Sequence, residues 1–390
     1  MALYTEIQKI LKSRKFLIAL IITIGFNILY CWFARNYVFN KSESYIKGYI
    51  SDTEKQIKQL EQKLKKEKDA KIKKLYQEQI FDLNRIVQEE KLRLQYSKNP
   101  KKEMEGRAQY YKMMYENANK TGNYKEQESN KINYQIISEN LKKKKYYSIN
   151  KQLDGWSYLL SQSYGVAFFI IVIIALIIGS GIISDEYKEG TAKLLKTLPI
   201  KRANIVFSKF IASVLMISAL VIGTQIIFFI VLSIITDSFK YYDVYCNWIS
   251  RYKVIGFKVY PVLDNVKLLT LLESSILQFM TEIVIILAIS GIIVFFSSIF
   301  ENGAFTSISF IAIIVIISIL RQKMLMIKTP VLKLLSLIFP WELSVVYTNY
   351  LPNELDWIYA STYVVIGLNL LLTIIFVLGS IEIFKHKEKV

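Results

Sequence analysis

The chain has 390 residues, 53% of them hydrophobic and 14% aromatic, and carries 50 Lys and Arg against 32 Asp and Glu. Its apolar residues are gathered into runs instead of being spread along the sequence, which excludes an ordinary water-soluble domain. With one histidine and two cysteines, Cys31 and Cys246, it has no readable disulfide framework and no cysteine or histidine metal site.

Residues 1–15 place Leu3, Ile7, Ile10 and Leu11 on one helical face with Lys9, Lys12 and Lys15 elsewhere. That is the pattern of an amphipathic elbow helix lying in the inner membrane surface; the same residues also fit a plain cationic flank of the first span. The apolar run that follows is too long for a secretory signal, which has about 7–15 apolar residues before a small-residue cleavage site. It meets bulky Tyr30, Cys31, Trp32 and Phe33 instead, and reads as a retained anchor.

A window of about 20 apolar residues crosses the roughly 30 Å hydrocarbon layer as a helix. Six windows qualify, at 16–34, 164–183, 210–235, 276–299, 304–320 and 358–384. The fifth is the shortest, and only Glu301 to Ala304 separate it from the fourth; fusion of the two would leave five. The expected fold class is all-α: a polytopic membrane protein with six transmembrane helices and a long helical hairpin between the first and second.

That hairpin is read over residues 41–155, which hold 27 Lys and Arg against 17 Asp and Glu and so carry +10 of the net +18. Ile46, Ile50, Thr53, Ile57, Leu60 and Leu64 form one apolar stripe, and Ile72, Tyr76, Ile80, Leu83 and Val87 continue it after a register break near Glu67. Read as one helix from Ser44 to Ser97 this would extend on the order of 80 Å, with Asn99-Pro100 as its stop. A weaker stripe, Ala108, Tyr111, Tyr115, Ala118, then Tyr134, Ile137 and Leu141, brings the chain back past Thr121-Gly122-Asn123. Acidic residues are interleaved with the basic ones, which favours a solvated coiled-coil face over a nucleic-acid surface.

The second and third spans are joined at 184–209 by "SDEYKEGTAKLLKTLPIKRANIVFSK". Gly190 is placed to end the extension of the second span with a positive φ, Thr191 to cap a new helix and Pro199 to stop it. The result is a helix of about two turns, with Leu194, Leu195 and Leu198 as an apolar edge and Lys193 and Lys196 as a basic rim. An amphipathic turn resting on lipid has the same pattern.

Residues 236–275 and 321–357 are rich in Tyr and Trp, as in the aromatic belts at membrane interfaces. Within the spans, Gln225, Gln278 and Glu282 are candidates for a polar path, with Glu273 further out on the same face as Gln278 and Glu282. Helix-to-helix bonding for Gln225, and interfacial water for Glu282, are the alternatives. No G-x-x-x-x-G-K-[ST] phosphate loop is present, and His386 lies in the charged tail 385–390. Counting basic residues gives thirteen in the segments assigned to the inside and nine in the short outer loops, a bias too small to fix orientation.

Glu186, Gly190, Thr191, Leu194, Leu195, Pro199, Arg202 and Lys209 stand in the order and spacing found in permeases of the ABC type-2 exporter family. The sequence resembles such a permease along its whole length, from the elbow to the terminal "FKHKEKV"; the Lys-rich hairpin lies outside the shared pattern. The resemblance implies that 184–209 is a cytosolic coupling loop docking on an ABC ATP-binding subunit, with both termini cytosolic, the hairpin extracellular, and the segment 321–357 re-entrant and broken by Pro330, Pro340 and Pro352. It further implies a non-enzymatic transport subunit of a bacterial plasma membrane, surrounded by membrane lipids and paired with a second permease copy or homologue. ATP and Mg would sit on the partner subunit, with no cofactor in this chain. The expected cargo is an amphipathic molecule such as a peptide, an antimicrobial or a drug; a sodium exporter of the same family, or a non-transporting receptor or scaffold, are the rivals.

Overall fold

The computed structural model describes residues 2–39, 43–96, 99–121, 124–147, 152–191, 197, 200–255, 258–264, 266–324, 337–340, 342–355 and 357–387. The chain divides into two compact units, one made of 1–31, 154–240 and 247–390, the other of 32–153 and 241–246.

The first unit begins with α1 (Ala2–Leu11) and α2 (Arg14–Phe33), followed after the other unit's helices by the short α7 (Gly155–Gln162), α8 (Val166–Gly179) and α9 (Ser184–Lys188). It continues with α10 (Arg202–Thr236), α11 (Leu271–Ile299), α12 (Gly303–Met324), α13 (Leu343–Tyr347), α14 (Leu351–Glu354) and α15 (Thr362–His386). Among the described residues five stretches are long and apolar enough to cross a membrane: Arg14–Asn36, Val166–Lys188, Arg202–Thr236, Leu271–Ile299 and Thr362–His386. The window read at 304–320 corresponds to Gly303–Ile319, which is apolar but shorter than these. It does not fuse with the helix before it, because the Asn302 side chain accepts from Ala304 N at 3.0 Å and restarts the chain there.

The core of this unit is a shared seam of β-branched and aromatic side chains, including Ile171, Ile174, Ile217, Val221, Ile286, Ile289, Ile293 and Phe310. Lipid is as apolar as these residues, so the seam is held by close packing and by hydrogen bonds between helices more than by expulsion of water. Close approach is built in at Gly155, where an added Cβ would lie 2.7 Å from the Phe229 carbonyl oxygen. Polar pins cross the seam. Between α8 and α9 the helix is interrupted, and the amides of Ile183 and Ser184, which the break leaves without helical partners, both donate to the buried Ser297 hydroxyl on α11 at 2.9 Å.

Several helix limits differ from the sequence reading. The third span, read from 210, is the inner part of a helix that starts at Arg202, and the fourth, read from 276, starts at Leu271. Thr270 caps the latter in a reciprocal box with Glu273, whose carboxylate accepts from Thr270 N at 2.9 Å. The fold is not all-α: the loop read as interfacial aromatics contains strands β1 (Tyr245–Ile249), β2 (Tyr252–Ile255), β3 (Lys258–Pro261) and β4 (Lys267–Thr270). β2 and β3 pair antiparallel, Tyr252 opposite Pro261 and Val254 opposite Val259. Pro330 of the segment 321–357 lies outside the described residues; Pro352 sits in the first turn of α14, where its missing N–H costs nothing.

The second unit corrects the sequence reading of its longest element. Instead of one helix from Ser44 to Ser97 there are two, α3 (Glu43–Lys66) and α4 (Ala70–Gln95), each about 36–39 Å long at 1.5 Å per residue. The register break at Glu67 is a reversal: its carboxylate accepts from the amides of Lys68 and Asp69 at 2.8 and 3.0 Å, forming the turn. Ile46, Ile50 and Ile57 then bury against Val87, with Ile80, Leu83 and Leu94 packed alongside, and Lys91 pairs with Glu54 at 2.8 Å. A second pair, α5 (Pro100–Thr121) and α6 (Tyr124–Lys142), follows the expected return stripe, with Met104, Ala108, Tyr111 and Ile137 as its core. Pro100 opens α5, and Asn99 accepts from Lys102 N at 3.1 Å as its cap. Burial and the adjacent Glu89, to which its hydroxyl donates, push the Tyr111 phenol well above the usual tyrosine range. Asn140 of α6 makes a two-way bond with Tyr245, donating to its carbonyl at 2.8 Å and accepting from its amide at 2.9 Å.

Candidate functional site

Two groups of buried polar side chains sit among the helices of the first unit. One lies at the base of α9 and α10. Glu186 on α9 is 4% exposed, and its Oε1 accepts from Lys9 Nζ at 2.5 Å and from Lys209 Nζ at 2.9 Å. Lys209, 1% exposed on α10, also donates to Glu6 at 3.0 Å. Thr191 donates its hydroxyl to the other Glu186 oxygen. Beside this group Asp185 accepts from Lys15 at 2.6 Å.

The geometry follows from local structure. Glu6 and Lys9 are three residues apart on α1 and so face the same way, while Ile7 and Ile10 of that helix pack against the core. An acid and a base from α1 thus close on a base from α10 and an acid from α9. Burial opposes the charge on Lys9, but the hydrogen bond to Glu186 and the charges of Glu186, Glu6 and Glu189 outweigh it and raise its pKa. Buried charges persist only when paired in this manner.

The sequence expectations around this group meet three outcomes. Gly190 has the positive φ expected of it, +74°, and ends α9. Thr191 is bonded backward to Glu186, and Arg202 donates from Nη1 to the Lys385 carbonyl at 2.8 Å, tying the first residue of α10 to the last turn of α15. Leu194, Leu195, Leu198 and Pro199 lie outside the described residues. Glu6, Lys9, Lys15 and Asp185 were not among the expected site residues. The available signal was Lys209, a cation that an apolar helix cannot carry without a carboxylate from elsewhere.

The second group is enclosed by α2, α7, α10 and α11. Gln225, Gln278 and Glu282 are all 0% exposed. Gln278 donates to Glu282 Oε1 at 2.9 Å across one helical turn, and Gln225 faces the same carboxylate from α10 without closing a hydrogen bond of good geometry. Glu273 does not join them, because its carboxylate is consumed by the cap of α11. Glu282 stands 11 residues into its helix, and its side chain is fully buried. Sequence reading missed the neighbouring Asn27, Tyr158, Gln162 and Thr224. Tyr158 donates to Asn27 Oδ1 at 2.5 Å, and Asn27 in turn donates to the Thr23 carbonyl, one turn earlier on α2, at 2.9 Å. The lone asparagine in the first apolar window was the available clue.

Ion pairs and amides of this kind fasten helices to one another. A family model described as ABC-2 family transporter protein matches residues 2–388, nearly the whole chain. No curated protein and no solved structure matches it.

Proposed function

Because the chain belongs to the ABC-2 family of transporter proteins, membrane components that act with a separate ATPase subunit, we propose that it is the permease subunit of an ATP-driven exporter of amphipathic molecules, such as a peptide, an antimicrobial or a drug. In this reading two permeases, identical or homologous, pair with two ATP-binding subunits that hold ATP and Mg. The coupling loop 184–209 docks on one of those subunits, and the spans carry its motion to the path.

The observation that supports this is the charge-locked junction of Glu186, Lys209, Lys9 and Glu6, in which Glu186 and Lys209 bracket the coupling loop near its two ends. A push on residues 190–202 meets a helix end fixed at once to the elbow and to the third span. Replacing Leu195 with Asp is the test. A carboxylate forced into an apolar cleft costs several kcal/mol, so the variant is expected to reach the membrane in normal amount and to lose transport, while the ATPase of the assembled complex no longer responds to substrate. Substrate-stimulated ATPase and transport at the original rate would remove the coupling assignment.

In the same reading the inner face carries α1, the coupling loop and both termini, and the hairpin unit lies outside. Single cysteines at the exposed positions Lys101 and Lys201, in a background where Cys31 and Cys246 are serine, report this directly. A membrane-impermeant maleimide is expected to label position 101 in intact cells and position 201 only after the cells are opened. The reverse labelling would invert the topology.

A further inference from the structure

Glu282 is a carboxylate in the wrong solvent. It is fully buried on a membrane-spanning helix, and among the described residues no lysine or arginine pairs with it. A buried carboxylate is tolerated when it is neutralised by a proton or by a cation. Its neighbours do not supply the missing charge. Gln278 donates one hydrogen bond to Oε1. Tyr158 faces the carboxylate, but its single proton is committed to Asn27.

The neighbours do supply oxygens. Glu282 Oε2, Gln278 Oε1, Gln225 Oε1 and Gln162 Oε1 are all buried and have no hydrogen-bond donor among the described residues. Gln225 closes no hydrogen bond of good geometry at either end of its amide, so it can turn its oxygen toward Glu282. Carboxylate and amide oxygens are ligands of hard cations and of ammonium groups. One carboxylate balances one positive charge; a second, Glu273, is occupied in its helix cap. Among the described residues there is no grouping of three His, Cys, Asp or Glu, and the one free carboxylate, that of Glu282, matches a single positive charge.

We infer that Glu282, Gln225 and Gln278 form a binding site for a single positive charge, either an inorganic monovalent cation or the ammonium group of an amphipathic molecule. Glu282 neutralises the charge, and the two amides fix its position. The inference rests on the membrane-component reading but not on ATP coupling or direction of transport, so the binding test below can fail while the transport tests succeed, and the reverse.

The test uses the purified full-length permease. Its melting temperature is measured at constant ionic strength and pH while N-methylglucamine chloride is exchanged for NaCl, KCl or n-butylammonium chloride. Wild type is expected to be stabilised in a concentration-dependent manner by at least one of these salts. A response to NaCl or KCl identifies an inorganic ion; a response to butylammonium alone identifies an organic ammonium group. Glu282→Gln is expected to weaken the responding cation at least about thirtyfold. Gln225→Met keeps the volume, removes an oxygen and is expected to weaken it about tenfold; it decides the matter if Glu282→Gln does not accumulate. A wild type that melts at one temperature in all four salts overturns the inference and leaves Glu282 as a neutral carboxylic acid. So does an undiminished cation response in both variants.

Discussion

Replacing Glu186 with alanine is expected to destabilise the permease by about 3 kcal/mol, the lower end of the range for breaking a buried ion pair. Lys209 is 1% exposed, and without Glu186 its charge keeps only Glu6 as a partner. The Glu6 pair is what holds the expected cost at the low end. Lys9, with its side chain 55% exposed, turns to water and adds little. The penalty arises from the stranded charge and not from the lost contact, which gives a second arm: Glu186→Ala combined with Lys209→Met is expected to recover most of the loss. The measurement is a double-mutant cycle on thermal inactivation of the purified protein. A single-variant cost below about 1 kcal/mol, the scale of a surface pair, would mean that the group is not closed to water and does not fasten α1 to α9 and α10.

Deletion of residues 43–142, bridged by a short flexible linker, is expected to leave membrane insertion and basal ATPase of the assembled complex intact and to abolish export of the natural substrate. The removed segment has its own two cores, around Ile50 and Val87 and around Tyr111 and Ile137. Its four helices carry much of the chain's positive charge on interleaved surfaces. So large a unit is more than a connection between two spans needs. The readout is resistance or export in cells, beside the amount of permease in the membrane fraction. Export at the full rate by the shortened permease would detach the unit from transport and leave it as a scaffold.

The spans were legible because a bilayer demands long apolar windows, and nothing else in the sequence imitates them. Their ends were not. Arg202, Ser208 and Lys209 read as loop residues, yet α10 runs through them because Lys209 finds Glu186 and Glu6 from other helices. Periodicity showed the break at Glu67 but could not distinguish a slip in a continuous helix from a reversal, since both interrupt a stripe and only the partner across the turn decides. The four short strands escaped because none exceeds five residues, too few for alternation to register. Gln225, Gln278 and Glu282 were found because polar residues in apolar windows are conspicuous. Glu273 was conspicuous for the same reason and proved to be a cap.

The break between α8 and α9 interrupts the second span just where the coupling loop would pull on it, and an interrupted helix invites description as a hinge. Ser297 argues for a different mechanical part. By receiving the two amides freed at the break, it makes the joint a riveted one: α9 cannot swing without either surrendering both bonds in a dry interior or dragging α11 with it. The two bonds thus tie α9 to α11. Glu282 stands 15 residues from the rivet on that same rod, about 22 Å at 1.5 Å per residue. A tug on α9 would therefore reach the buried carboxylate along the length of that rod.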